Sequence, residues 1–146
     1  MKKQVRARAT FISTFDLQRL DSLGAIIYKA FGEYPYLVGS ANAKADYRDV
    51  DIRLMLADKT FDALFKGRAG VWALICYAIT GWLRAETGLP IDFQIQRQTE
   101  ANKKYGSEFR NPLGVRGINF AGYGDATNLW PRSKAQRVAY LKRRKK

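Results

Sequence analysis

The sequence predicts a single mixed α/β domain, a nucleus of a small mixed sheet flanked by helices, with a basic C-terminal tail. Two stretches, 16–31 and 69–87, repeat apolar residues at three- and four-residue steps, the helical period. Two shorter stretches, 49–56 and 91–96, alternate apolar and polar side chains as half-buried strands do. The length, 146 residues, suits one domain with a core of its own.

Leu17, Leu20, Leu23, Ile26, Ile27 and Phe31 form the apolar stripe of the first helix, with Ser13 or Thr14 to cap it and Gly32 to close it. Tyr34 to Val38 reads as a short buried strand that ends at Gly39-Ser40, and residues 41–47, small and polar, as a loop. Asp49 to Leu56 is the second strand: Val50, Ile52, Leu54 and Leu56 face one way, Asp49, Asp51, Arg53 and Met55 the other. A short helix over Thr60 to Lys66 ends at Gly67. A longer one over Ala69 to Thr87 carries Trp72, Ile75, Ile79, Trp82 and Leu83 toward the core and stops at Gly88 and Pro90. Ile91 to Gln96 is the third strand, with Asp92, Gln94 and Gln96 on its polar face. Residues 97–131, rich in Gly, Asn and Tyr, are expected to be irregular, and 133–142 to form a short basic helix.

The net charge of +13 is unevenly placed: residues 1–15 carry +4, residues 132–146 carry +8, and the stretch between them only +1. The sequence therefore divides into a basic N-terminal arm (1–13), a globular domain (14–131) and a basic tail (132–146). Such arms favour a polyanion, because each phosphate contact releases counterions. Arg132, Lys134, Arg137, Lys142, Arg143 and Arg144 are the candidate nucleic-acid contacts, although a solvated tail would look the same. Histidine is absent, which excludes Ser-His and Cys-His catalysis and most zinc sites. Cys76 is the single cysteine and lies in an apolar run, so it reads as a buried thiol with no disulfide partner. With no apolar run long enough to span a bilayer, no membrane association is expected, and a reducing cytoplasm is the simplest setting.

Chemistry is concentrated in three places. Gly39-Ser40 ends one strand, Asp49-Val50-Asp51 opens the next, and Asp92 sits between apolar residues on a third. Carboxylates two apart on a strand share a face and repel each other, and a cation between them relieves that cost. Mg²⁺ suits the place, being hard, oxygen-ligated and willing to exchange waters for phosphate oxygens. A third carboxylate from a neighbouring strand would complete a two-metal site for phosphoryl transfer. Gly39 lets a phosphate approach the backbone, and Ser40 adds a hydroxyl. Each piece alone has a plainer reading, since Asp-x-Asp also occurs as a solvated pair and Gly-Ser in any loop.

Together, Leu37-Val38-Gly39-Ser40, Arg48-Asp49-Val50-Asp51-Ile52 and Pro90-Ile91-Asp92-Phe93 resemble the DNA polymerase β-like nucleotidyltransferase superfamily, most of all its minimal bacterial and phage members. The resemblance covers roughly residues 14–96. It implies that Gly39 and Ser40 bind nucleotide phosphates and that Asp49 and Asp51 ligate metal. It further implies that Asp92 ligates the metal activating the acceptor hydroxyl and helps remove its proton. The implied cofactor is Mg²⁺, as two ions, with Mn²⁺ as a substitute. The implied reaction moves a nucleoside monophosphate from an NTP to a hydroxyl and releases pyrophosphate. The acceptor it favours, taken with the basic arms, is RNA, with a tRNA end foremost. Eight residues separate Ser40 from Asp49, and Ala41 stands where some members have a basic residue, which leaves Lys44 as the nearest cation.

Lys44, Arg48 and Arg53 can neutralise triphosphate charge. Arg53 shares a face with Asp49 and Asp51, so it can equally form a salt bridge with them. Tyr34, Tyr36, Tyr105, Phe109, Phe120 and Tyr123 are candidates for stacking on a base. Gln94, Gln96, Gln98 and Asn102 can read a base edge or lie along a solvated one. Two functions remain open: an active nucleotidyltransferase, or a nucleic-acid-binding protein with an inactive nucleotidyltransferase core.

Overall fold

The computed structural model describes residues 9–116. Four helices and a four-stranded mixed sheet form a mixed α/β domain, as the sequence pattern requires. The order is α1 (Thr14–Phe31), β1 (Tyr36–Val38), a 3-10 turn (Gly39–Asn42), β2 (Val50–Leu56), α2 (Asp58–Phe65), α3 (Ala69–Thr87), β3 (Ile91–Arg97), α4 (Gln98–Tyr105) and β4 (Asn111–Pro112).

The helix ends follow local chemistry. The backbone N–H of Asp16 donates to Ser13 Oγ at 3.2 Å, and the Ser13 hydroxyl donates to Asp16 Oδ2 at 3.1 Å, so cap and first turn satisfy each other. Gly32 and Gly88 close α1 and α3 in the left-handed conformation, at φ of 80° and 70°, which glycine adopts without a Cβ penalty.

In the sheet the order is β3-β2-β1-β4. β1 is antiparallel to both β2 and β4, and β2 is parallel to β3. The parallel register sets Val50 against Ile91, Ile52 against Phe93 and Leu54 against Ile95. These apolar pairs, with Leu37 of β1, are buried against Leu20, Leu23 and Ile27 of α1 and Leu83 of α3, where the core sits. One-sided alternation in the sequence is therefore one-sided burial in the fold, except at Met55, which is buried although it shares the strand face of Asp51 and Arg53. The opposite face presents Asp51, Arg53, Asp92, Gln94 and Gln96, all half-buried.

β3 is an edge strand, and α3 seals its outer side. Trp72, Cys76, Thr80 and Arg84 lie four residues apart, a rise of about 6 Å. Alternate strand residues are about 6.6 Å apart, so the two repeats run in step. Trp72 Nε1 donates to the Ile95 carbonyl at 2.8 Å, and the Ile95 N–H donates to Cys76 Sγ at 3.5 Å. The Phe93 N–H donates to Thr80 Oγ1 at 3.2 Å while the same hydroxyl donates to the Phe93 carbonyl at 3.3 Å, and Arg84 Nε donates to the Ile91 carbonyl at 2.8 Å. An edge that would template pairing with another chain is thereby occupied. Cys76 is a free, buried thiol, and burial pushes its pKa up. Trp72 and Trp82 are half-buried and pack against the core rather than inside it.

The expectation of irregular chain over 97–131 is corrected for its described part, which contains α4 and β4. The Thr99 N–H donates to Asp58 Oδ1 at 3.0 Å and the Thr99 hydroxyl to Asp58 Oδ2, so a carboxylate from α2 caps α4. Arg97 ties the same corner together by donating to both carboxylate oxygens of Asp62, at 3.0 and 3.1 Å. Beyond β4, the buried Asp21 of α1 accepts from the Gly114 N–H at 2.6 Å and from the Arg116 guanidinium at 2.8 Å. Smaller differences are that β1 omits Tyr34 and Pro35, Asp49 flanks β2 rather than opening it, and the loop over 41–47 begins inside the 3-10 turn. Among the described residues, no helix is long and apolar enough to cross a membrane. The region 133–142 lies outside the described residues.

The seam between α3 and β3 gives a direct test. Thr80→Val keeps the shape and leaves the outward N–H and carbonyl of Phe93 without their side-chain partner. It should lower the unfolding free energy by about 1–3 kcal/mol. Thr60→Val, exposed on α2, should change it by less than about 0.5 kcal/mol. Equal urea midpoints for the two variants would refute the seam.

Candidate active site

The site stands where β1 ends beside β2. Val38 is paired with Asp51, so the first residue of the turn, Gly39, lies against the Asp51 side chain. Gly39 has φ of 77°, and a Cβ there would fall 2.5 Å from Asp51 Oδ2. Both the turn and the close approach thus require glycine. Asn42, buried at the other end of the turn, donates from Nδ2 to the Leu37 carbonyl at 2.7 Å and holds the turn to its strand.

Asp51 is directly opposite Asp92 on the parallel neighbour β3, and Arg53 is opposite Gln94. Two of the three expected carboxylates are thereby brought side by side. The third, Asp49, is exposed just ahead of β2, and its charge reaches Asp51. Arg53 sits between the pair: Nη2 lies 3.0 Å from Asp92 Oδ2 and 3.7 Å from Asp51 Oδ1, while Nη1 donates to the Asp92 carbonyl at 2.7 Å. The salt bridge expected between Arg53 and its strand-face neighbours forms with Asp51 and not with Asp49, and Asp92 is the nearer partner. Even so, burial pushes the Asp51 carboxyl above its ordinary value. Arg53 opposes that rise, and the charges of Asp92, Asp49 and Glu108 reinforce it.

Glu108 had no signal in the sequence. It comes from the chain between α4 and β4 and accepts the Gly39 N–H on Oε1 at 3.0 Å. A carboxylate thus holds the backbone donor that the resemblance gives to a nucleotide phosphate. Tyr105, Glu108 and Arg110 face the polar side of the sheet across a cavity of about 280 Å³. From the sheet, Val38, Asp51, Arg53, Met55, Gln94 and Gln96 line it.

The other candidates scatter. Ser40 is half-buried, and among the described residues its hydroxyl has no hydrogen-bond partner. Lys44 and Arg48 are exposed and do not line the cavity. Tyr34 stacks on Tyr28 with centroids 4.0 Å apart, which occupies a face proposed for a base. Tyr36 shares the polar face, paired with Arg53, and Phe109 is exposed. Asn102 accepts from Arg110 Nη1 at 2.8 Å, and Gln98 is exposed. Phe120, Tyr123, Arg132, Lys134, Arg137, Lys142, Arg143 and Arg144 lie outside the described residues.

As a metal site the donor set fits in kind: hard oxygen ligands on adjacent strands with an excess of negative charge. In position it is not closed. Among the described residues no three acidic or thiol groups stand at metal-ligating spacing, and Arg53 fills the space between Asp51 and Asp92. A divalent ion would have to displace that guanidinium.

The crowding of Asp51 has a consequence for pH. A carboxyl whose folded value is raised binds its proton more tightly in the folded state than in the unfolded chain. Its stabilising contribution is full below pH 3.8 and is lost as pH rises through the folded value. In EDTA, Asp51→Asn should therefore be more stable than the wild type at pH 7, and the gap should close as pH is lowered toward 3. Urea unfolding across that range measures it. A wild type that gains on the variant as pH rises would contradict the crowding.

No family model, curated protein or solved structure matches the chain.

Proposed function

We propose that the chain is a Mg²⁺-dependent nucleotidyltransferase that moves a nucleoside monophosphate from an NTP to a hydroxyl acceptor, with an RNA end, that of a tRNA foremost, as the favoured acceptor. The observation that carries this reading is the pairing of Asp51 with Asp92 across parallel strands, with the Gly39 backbone lying against Asp51.

Asp51 and Asp92, joined by Asp49, would hold the metal. Bound there, Mg²⁺ or Mn²⁺ supplies Lewis-acid stabilisation of charge on the phosphate oxygens. The protein's own groups do the rest. The Gly39 N–H and the Ser40 hydroxyl bind phosphate oxygens once Glu108 has left Gly39. Arg53, released from Asp92, turns its guanidinium to the phosphates, a group it matches well. Asp92, the more exposed of the facing pair, accepts the proton of the attacking hydroxyl. The net charge of +13, with +8 in residues 132–146, supports an RNA acceptor. A cytoplasmic setting suits a single free, buried thiol.

The Arg53 ion pair favours a second reading. A guanidinium that permanently neutralises Asp51 and Asp92 would make the core a scaffold, and the basic segments would bind nucleic acid without catalysis.

One experiment separates the two. The protein is incubated with Mg²⁺, each α-phosphate-labelled NTP in turn, and total RNA or cell protein. Label should enter RNA with one preferred nucleotide, and Asp51→Asn and Asp92→Asn should each slow it by about 100-fold or more. Absence of label in any acceptor, with RNA binding retained and then lost on removal of 132–146, would replace the enzyme by the scaffold.

A further inference from the structure

We infer that the cavity beside the acidic pair is a nucleobase subsite, in which the side-chain amides of Gln94 and Gln96 read the base edge and Tyr105 offers a face to it. The inference rests on the nucleotidyltransferase reading and specifies how that site would choose its nucleotide.

The parallel register arranges the polar face in rows. Asp51 stands beside Asp92, Arg53 beside Gln94 and Met55 beside Gln96. From the first row to the last is four strand residues, about 13 Å. Carboxylates mark one end, a guanidinium the middle and amides the other end. A nucleoside triphosphate has the same order of chemistry, with charged phosphates at one end and a flat, neutral, hydrogen-bonding base at the other.

Three observations point to a ligand at the amide end. Gln94 and Gln96 both line the cavity and are half-buried, and among the described residues neither amide has a hydrogen-bond partner. Both amides therefore keep their donors and acceptors open to whatever enters the cavity. Arg110 lines the same cavity. Its Nη1 is bonded to Asn102, whereas its Nη2 is buried without a partner. A buried guanidinium N–H lacking an acceptor is costly unless something brings one. Met55 supplies an apolar patch, and Tyr105, a residue 40% exposed, adds an aromatic ring with Lys104 Nζ over one face at 5.2 Å from its centroid, which leaves the other face for a base.

A carboxamide presents one donor and one acceptor side by side, the pattern that pairs two-fold with a base edge. Arg110 adds a donor for a ring nitrogen or carbonyl. The charged groups Asp51 and Glu108 gather beside Gly39, whereas Met55, Gln94, Gln96 and Tyr105 are neutral, and a neutral lining fits a base better than a second phosphate. Gln94 is also within one strand step of the reactive end, so choice of base and position of the phosphates are set by the same strand.

The test compares dissociation constants, in Mg²⁺, of ATP, GTP, CTP, UTP and inorganic tripolyphosphate for the full-length wild type and for the Gln94→Ala/Gln96→Ala variant. The wild type should bind one NTP about 10-fold or more tighter than tripolyphosphate and tighter than the other three. The double variant should bind all five alike, with tripolyphosphate affinity kept as the sign of an intact fold. Wild-type affinities equal for tripolyphosphate and every NTP would overturn the subsite while leaving the nucleotidyltransferase reading in place. So would a base preference that survives in the variant. Failure of the wild type to bind either NTP or tripolyphosphate would remove both. Should the double variant lose tripolyphosphate as well, Tyr105→Ala decides: loss of base preference alone supports the subsite, and unchanged preference overturns it.

Discussion

Two carboxylates are held side by side on neighbouring parallel strands, and the rest of the site is arranged around that repulsion. Asp51 and Asp92 are opposed because the apolar residues flanking them, Val50, Ile52, Ile91 and Phe93, are opposed on the other face. Slipping β3 by one residue would turn its apolar side chains out of the core, so hydrophobic register fixes the charge cluster. Arg53 pairs with both carboxylates, while burial keeps the Asp51 carboxyl above its ordinary value. Other elements bound the site. The α3 side chains hold β3 by its outer edge, Gly39 brings the turn onto Asp51, and Asp58 anchors the helix that leads to Glu108.

Much of this was legible in the sequence where local physics decides. The four-residue stripe of α3 gave its bounds, Ala69–Thr87, because apolar period and a terminal glycine both act within the helix. Alternation in β2 and β3 told which side chains face the helices. The motifs at Gly39, Asp51 and Asp92 were visible as residues, and the fold brings those three together. The pairing of Arg53 with Asp51 was visible too, since the two share a strand face, whereas its closer contact with Asp92 depends on the register of β2 and β3.

What stayed hidden depends on contacts far apart in the chain. Nothing near 98–105 announces a helix, because its cap is supplied by Asp58, 41 residues earlier, and Ala101 is its one buried residue. Asp21 looks like a solvated position on an amphipathic helix, yet it is buried and binds Gly114 and Arg116 more than ninety positions away. Glu108 reaches Gly39 across 69 residues. Trp72 carries the composition of a core residue, and only the edge position of β3 makes its indole N–H an asset. Tyr34 looked available to a base until Tyr28 claimed its face.

On the reading we propose, Asp51 and Asp92 exchange Arg53 for a divalent ion when nucleotide is present. Paramagnetic broadening by Mn²⁺ in amide NMR spectra tests this most directly, because it reports the ion's position without requiring turnover. With ATP and substoichiometric Mn²⁺, the amides of Gly39, Asp51 and Asp92 should broaden first, and Asp51→Asn should abolish the effect. Broadening centred elsewhere, or unchanged in that variant, would mean that Arg53 keeps its place and that the acidic pair is a structural ion cluster rather than a metal centre.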